Sequence, residues 1–170
     1  MKTLQLLFIL SFLIGGLQQA FGQIDQEFLV KQLEYSHTNE NWFAPVNTAM
    51  DDLSAKNANW HDDSGNHSIA QLVSHLVFWN ERLLKAMQGN DVAEFDGNND
   101  LTFSEISEED WKNMTQKLDQ ILSDIEEETK KMNEEQFAGW KETLANIAAH
   151  NAYHTGQIVY IRKQNGWWRN

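Results

Sequence analysis

The chain has 170 residues, of which 25 are acidic and 13 are basic, and it contains no cysteine. The net charge of −12, with no cluster of basic residues to offset it, excludes nucleic acids and anionic membrane surfaces as partners. The lack of cysteine excludes disulfide bonds, a thiol nucleophile and iron–sulfur clusters. A fold of this composition must therefore be held by its apolar core or by a bound ion.

The segment MKTLQLLFILSFLIGGLQQAFG at the start of the chain has the pattern of a secretory signal peptide. Lys2 precedes an apolar run from Leu4 to Ile14, and small residues close the segment. The run is too short to span a bilayer permanently. We therefore expect cleavage before Gln23, export to the periplasm or the exterior, and no stable membrane insertion. The alternative is a retained N-terminal anchor helix.

Residues 23–170 are then expected to form one globular domain with a net charge of −13, from 12 basic and 25 acidic residues. No run of alternating apolar and polar residues indicates a sheet, so we predict an all-α fold. The first helical region is expected from about Gln26 to Ala55, with a break or kink near Pro45.

Three further helices follow, each with apolar residues at helical spacing. Ser68 with Gln71 forms a capping box before the first of these, and Ser107 with Asp110 caps the next. Four helical regions with one apolar face each predict a four-helix bundle, and faces this apolar are compatible with a homodimer. The expected ranges are residues 68–87, 108–132 and 141–164, with a loop over 90–106.

Three of the six histidines are predicted to face the bundle interior. His150 and His154 are four residues apart, and therefore on one side of the last helix. His154 lies within the apolar arc of that helix and His150 lies at its edge. On the helix predicted over residues 68–87, His75 lies at the edge of the apolar arc, one turn before Trp79.

A metal ion would satisfy these three side chains together. An imidazole without a partner in an apolar interior costs about 1–3 kcal/mol. Three neutral histidine nitrogens are a common ligand set for zinc and neighbouring divalent ions, and they leave a coordination position for water or substrate. We predict a divalent metal site, with zinc first and nickel, manganese or iron as alternatives. The spacing alone equally allows each histidine to be hydrogen-bonded within the bundle.

Two segments resemble the DinB (DNA damage-inducible, or YfiT-like) superfamily of four-helix metal-binding proteins. They are HSIAQLVSHLVFW, after Trp60 and Gly65, and HNAYHTGQIVYIRKQNGWW near the end of the chain. The resemblance covers most of residues 23–170 and implies a four-helix bundle of DinB type. It places the family's three histidine ligands on His75, His150 and His154, the set that helical geometry had selected. Asn151 stands where many family members have aspartate.

The other candidate residues have plainer interpretations. Trp79 is expected either to wall a substrate pocket or to be part of the core. His67 is expected to have a capping or surface role rather than to bind the metal. His37 and His61 are expected in solvent, as are the glutamates at 126–128.

The resemblance also implies a chemistry. Characterised relatives include transferases and isomerases that use low-molecular-weight thiols, with the metal activating the sulfur. Export argues against that chemistry, because such thiols are mainly cytoplasmic and an oxidising compartment depletes them. Hydrolysis thus competes with thiol transfer, and we expect either a metal-dependent thiol transferase or a metal-dependent hydrolase that acts on a small molecule. The alternative is a non-catalytic bundle that binds a metal or a small ligand, and a purely structural partner-binding bundle ranks last.

Overall fold

The computed structural model describes residues 25–62 and 64–168. This part of the chain consists of helices and connecting segments without a strand, so the all-α prediction is confirmed. The predicted signal peptide, residues 1–22, lies outside the described residues, and its cleavage stays a prediction. No helix in the described ranges combines the length and the apolar character that crossing a membrane demands.

The described helices are numbered in chain order. Helix α1 is helical over the described residues 25–37. The remaining helices are α2 Val46–Met50, α3 Ala55–Ala58, α4 Ile69–Met87, the 3-10 helix Asn99–Thr102, α5 Trp111–Lys131 and α6 Glu134–Gln164.

The first helical region is interrupted more widely than predicted. The predicted range from Gln26 to Ala55 is divided among α1, α2 and the start of α3, and residues 38–45 between α1 and α2 are not helical. Pro45 stands immediately before α2 in an extended conformation, a position where its missing N–H breaks no helical hydrogen bond. Asp52, with a φ of 56°, turns the chain between α2 and α3.

Helix α6 begins at Glu134, seven residues before the predicted start at Lys141. Its first turn is closed by a capping box in which Asn133 Oδ1 accepts from the Gln136 N–H at 2.9 Å and Gln136 Oε1 accepts from the Asn133 N–H at 3.0 Å. The capping box outweighs the low helix propensity of Gly139. Helix α4 begins as predicted, with the capping box of Ser68 in place.

The long helices bury one face each against their neighbours, as expected of a bundle. Helix α4 packs against α5 and α6, and α2 packs against α6. The interface between α4 and α6 carries the histidines, so the apolar core around it sets their positions. The largest apolar side chains that are fully buried are Ile69, Leu76, Leu118, Ile125, Leu144 and Ile158.

A buried ionic cluster joins α1 to α5 and shows that the expectation of a solvated His37 and Glu126 is wrong. Both residues are buried, with 3% and 8% of their surface exposed. His37 Nδ1 lies 2.8 Å from Glu126 Oε1, and Nε2 lies 2.9 Å from Asp119 Oδ1. Burial lowers the pKa of His37, but hydrogen bonds and charge from Glu126 and Asp119 outweigh burial and raise the pKa above 6.5. The cluster is therefore strongest with the ring protonated.

His37→Gln is expected to lower the free energy of unfolding by about 1–3 kcal/mol near pH 5.5 and by less at about pH 9. Because the folded pKa is raised, the stabilisation is complete below pH 6.5 and is lost as the pH rises through the folded value. Urea unfolding of metal-free protein at both pH values measures the difference. His61→Gln, at an exposed ring, is the matched control. An equal loss at both pH values would contradict the ionic interpretation.

Candidate metal centre

Helices α4 and α6 bring His75, His150 and His154 together on their facing sides. His75 and His154 are buried, and His150 is half-buried. One ring nitrogen of each histidine lies within 4.8 Å of the corresponding nitrogens of the other two. His75 Nε2 and His150 Nε2 are 3.1 Å apart. The three histidines selected in the sequence thus form one cluster.

A pair of buried amides fixes the register of α4 against α6 beside this cluster. Asn80 Nδ2 donates to Asn151 Oδ1 at 2.8 Å, and Asn151 Nδ2 donates to Asn80 Oδ1 at 3.0 Å. Both residues are almost fully buried. Each amide donates and accepts, so the pair is reciprocal. An aspartate in place of Asn151 could only accept when ionised, so asparagine suits this partner.

The partner of His75 determines which of its ring nitrogens carries the proton. His75 Nδ1 lies 2.5 Å from Thr102 Oγ1, and the Thr102 hydroxyl donates to the Asn99 carbonyl at 2.7 Å. Since a hydroxyl has one hydrogen, Thr102 must accept from His75 Nδ1–H. The lone pair of His75 is therefore on Nε2, which faces the other histidines.

His154 is also oriented by a hydrogen bond at Nδ1, in this case to Gln157 on the same helix, α6. Its Nδ1 lies 2.6 Å from Gln157 Oε1, and a carbonyl oxygen can only accept, so the lone pair of neutral His154 is on Nε2. His150 Nδ1 is buried without a hydrogen-bond partner among the described residues. Among those residues, His150 therefore lacks the hydrogen bond at Nδ1 that fixes the tautomer of the other two rings. The donor set fits a divalent ion, because hydrogen bonds to the other ring nitrogen typically orient histidine ligands.

The three rings have the protonation state that metal binding needs. Burial, with the neighbouring His154 and His150, lowers the pKa of His75 to about 3. Burial, with His154, lowers the pKa of His150 to about 4. Burial also lowers the pKa of His154, outweighing the hydrogen bond to Gln157. The rings are therefore neutral at pH 7, and neutral imidazole is the form that binds a metal. The cluster can hold a divalent ion.

The connection between α4 and α5 supplies site residues that sequence reasoning missed. Thr102 belongs to the 3-10 helix, and Phe103 after it stacks on the His75 ring at a centroid distance of 4.0 Å. His67 stacks on Phe103 at 3.8 Å, and it is exposed and outside the three-histidine cluster. Asn98, whose side chain accepts from the Asp100 N–H, predicts a local turn here. Nothing local to that turn indicates that it packs on His75.

The histidine cluster borders a cavity of about 720 Å³. Trp79 lies in its wall, where its indole N–H donates to Asn99 Oδ1 at 3.2 Å. The cavity walls are mainly apolar and aromatic, as in many small-molecule sites. A second cavity of about 530 Å³, which also reaches Tyr153, includes none of the three histidines. The larger cavity is lined by His75, Trp79, Arg82, Leu83, Ala86, Asn99, Phe103, Trp140, Thr143, Asn146, Ile147, His150, Tyr153 and His154.

The fold and the site together define a helical protein with a three-histidine centre that can hold a divalent ion beside an apolar cavity. The sequence profile of the DinB superfamily matches residues 41–158, a range that contains all three histidines. Because the match covers most of the chain, the chain belongs to the DinB superfamily, and the predicted resemblance is confirmed. No curated protein and no solved structure matches the chain.

Asn151→Leu is expected to lower the free energy of unfolding by about 1–3 kcal/mol, because it leaves Asn80 Oδ1 buried without a hydrogen-bond donor, although Asn80 Nδ2 still donates to the Leu76 carbonyl. The double variant Asn80→Leu, Asn151→Leu is expected to recover part of the loss, because both polar groups are then removed. Chemical denaturation of metal-free protein measures both effects. Asn113→Leu, at an exposed position of α5, is the control. A double variant that is no more stable than Asn151→Leu alone would contradict the pairing.

Proposed function

We propose that His75, His150 and His154 bind one divalent metal ion, zinc first, and that this ion binds and activates a small molecule in the adjoining cavity. The observation that carries the proposal is the placement of three neutral histidines at the wall of that cavity. Among the described residues, the metal-binding group consists of these three side chains. A three-ligand site leaves a coordination position for a substrate or water, which is typical of catalytic zinc.

A bound ion of this kind supplies Lewis-acid chemistry, lowering the pKa of a ligand atom or polarising a carbonyl. The chain supplies orientation and shielding. Thr102 and Gln157 hold two of the histidine rings with their Nε2 lone pairs toward the centre. Trp79 and Trp140 line the cavity and reduce the access of water to a ligand bound there.

The proposal covers two reactions at the same site. Transfer of a low-molecular-weight thiol is the chemistry that the family resemblance implies. Hydrolysis of a small molecule is favoured by the proposed export of the protein, which would remove it from the cytoplasmic thiol pool. Turnover of thiol acceptors in the presence of a thiol, or of ester and amide substrates in its absence, separates the two reactions.

A second candidate function is ligand or metal binding without turnover. It is favoured by the polarity of the cavity, because Arg82 is the only lining side chain in the described residues that is charged at neutral pH. A carboxylate general base is therefore not among the described lining residues. Stoichiometric metal, saturable ligand binding and no turnover with either substrate class would favour this second function.

The full chain, purified without chelator, is expected to contain about one divalent ion per chain. His150→Ala and His154→Ala are each expected to lose most of that metal, since two imidazoles hold the ion much less tightly than three. Elemental analysis measures the metal, and circular dichroism checks that the variants stay helical. The exposed His61→Ala is the matched control and should keep the metal. Metal content that is unchanged in both cluster variants, or is zero in the wild type after zinc loading, would contradict the proposal.

Thr102→Val is expected to weaken zinc binding about 10–100-fold, because it removes the acceptor that orients His75. Thr102→Ser keeps the hydroxyl and is expected to bind zinc almost as tightly as the wild type. Competition against a chromophoric chelator measures both affinities. Weakening by serine as large as that by valine would contradict the orienting role of the hydrogen bond, because serine keeps the hydroxyl.

A further inference from the structure

We infer that the cavity beside the three histidines selects small organic anions, specifically carboxylates with an apolar or aromatic body, and that Arg82 binds the carboxylate. The inference rests on the proposed function in one respect: the other end of the ligand is placed at the metal position. The contact with Arg82 itself needs no metal, so it can be tested separately.

Arg82 lines the cavity, and its guanidinium is held at the cavity edge by residues outside the lining, none of which is a carboxylate. The guanidinium lies over the Phe78 and Phe95 rings, with its carbon 5.6 Å and 5.8 Å from their centroids. One of its nitrogens donates to the Ala93 carbonyl. No carboxylate within the described ranges lies within ion-pair distance of it. These contacts orient the guanidinium and leave donors for a ligand.

The charge around Arg82 contrasts with that of the whole protein. The chain carries 25 acidic residues, yet none of the described residues that line the cavity is acidic. A divalent ion on three neutral histidines would add positive charge to the same cavity. A pocket of this charge in an acidic protein attracts anions and disfavours cations.

The positions of Arg82 and His75 along α4 indicate that the ligand is elongated. Both residues line the cavity from α4, seven positions apart in the sequence. Two helical turns correspond to about 10 Å along the axis. Trp79 lies between them, and Trp140 lines the same cavity from α6. The arrangement therefore suits an elongated molecule with a carboxylate at one end, an aromatic or aliphatic body, and a metal-facing group at the other end.

The test compares an acid with its uncharged analogue. The full chain, freed of metal, is titrated with 4-phenylbutyrate and with 4-phenylbutyramide, and binding is followed by tryptophan fluorescence. The acid is expected to bind about tenfold more tightly than the amide, because guanidinium–carboxylate hydrogen bonds are charge-assisted. Arg82→Gln is expected to remove this preference and to change the affinity for the amide by less than about twofold.

Two further variants separate the specific contact of Arg82 from its charge and from the net charge of the protein. Arg82→Lys keeps the charge and is expected to retain part of the preference for the acid. Lys85→Gln removes the same charge from the same helix, at a side chain paired with Glu81 at 3.3 Å and outside the cavity lining. It is expected to leave the preference unchanged.

Equal binding of acid and amide by the wild type, or a preference that survives in Arg82→Gln, would overturn the inference. An effect of Lys85→Gln as large as that of Arg82→Gln would also overturn it, because it would indicate a general effect of net charge. The zinc content of Arg82→Gln is expected to equal that of the wild type. Zinc binding without a preference for the acid overturns this inference alone, whereas a preference for the acid without zinc binding overturns the proposed function alone.

Discussion

The geometry of the site depends on the register between α4 and α6, because one histidine comes from α4 and two come from α6. Apolar contacts such as those of Leu76 and Leu144 tolerate small shifts along the helix axes. The amide pair of Asn80 and Asn151 does not, since a shift would leave buried donors and acceptors without partners, at about 1–3 kcal/mol for each group. A polar contact in the core therefore gives the histidine cluster a defined geometry.

The orientation of two histidine rings depends on further hydrogen bonds, one within α6 and one from outside the helix pair. His154 is held by Gln157, one turn further along α6, so its orientation is local to that helix. His75 is held by Thr102, which is 27 residues away in the chain. The cluster thus combines a histidine oriented by its own helix with one oriented by the connection between α4 and α5. Folding of that connection and formation of the centre are coupled through this hydrogen bond.

Helical periodicity was enough to predict the three histidines as a set, because i, i+4 spacing and the apolar arc are properties of single helices. The start of α4 was predictable from Ser68 for the same reason. The burial of His37 was not, since its carboxylate partners lie on α5, more than 80 residues further along the chain. Thr102 was missed because a four-residue turn is too short to show a helical periodicity of apolar residues. The early start of α6 was encoded by the capping pair Asn133 and Gln136, but Gly139, with its low helix propensity, obscured it.

The connection between α4 and α5 runs back along the face of α4 that it covers. Ala93 contacts Arg82, Phe95 and Asn99 contact Trp79, and Thr102 contacts His75. The helices therefore carry the histidine cluster, and this one loop borders the adjoining cavity. Loops accept sequence change more readily than packed helices. Proteins that share this bundle could thus diversify in the molecules they recognise by changing residues of this segment other than Thr102, while the orientation of His75 stays constant.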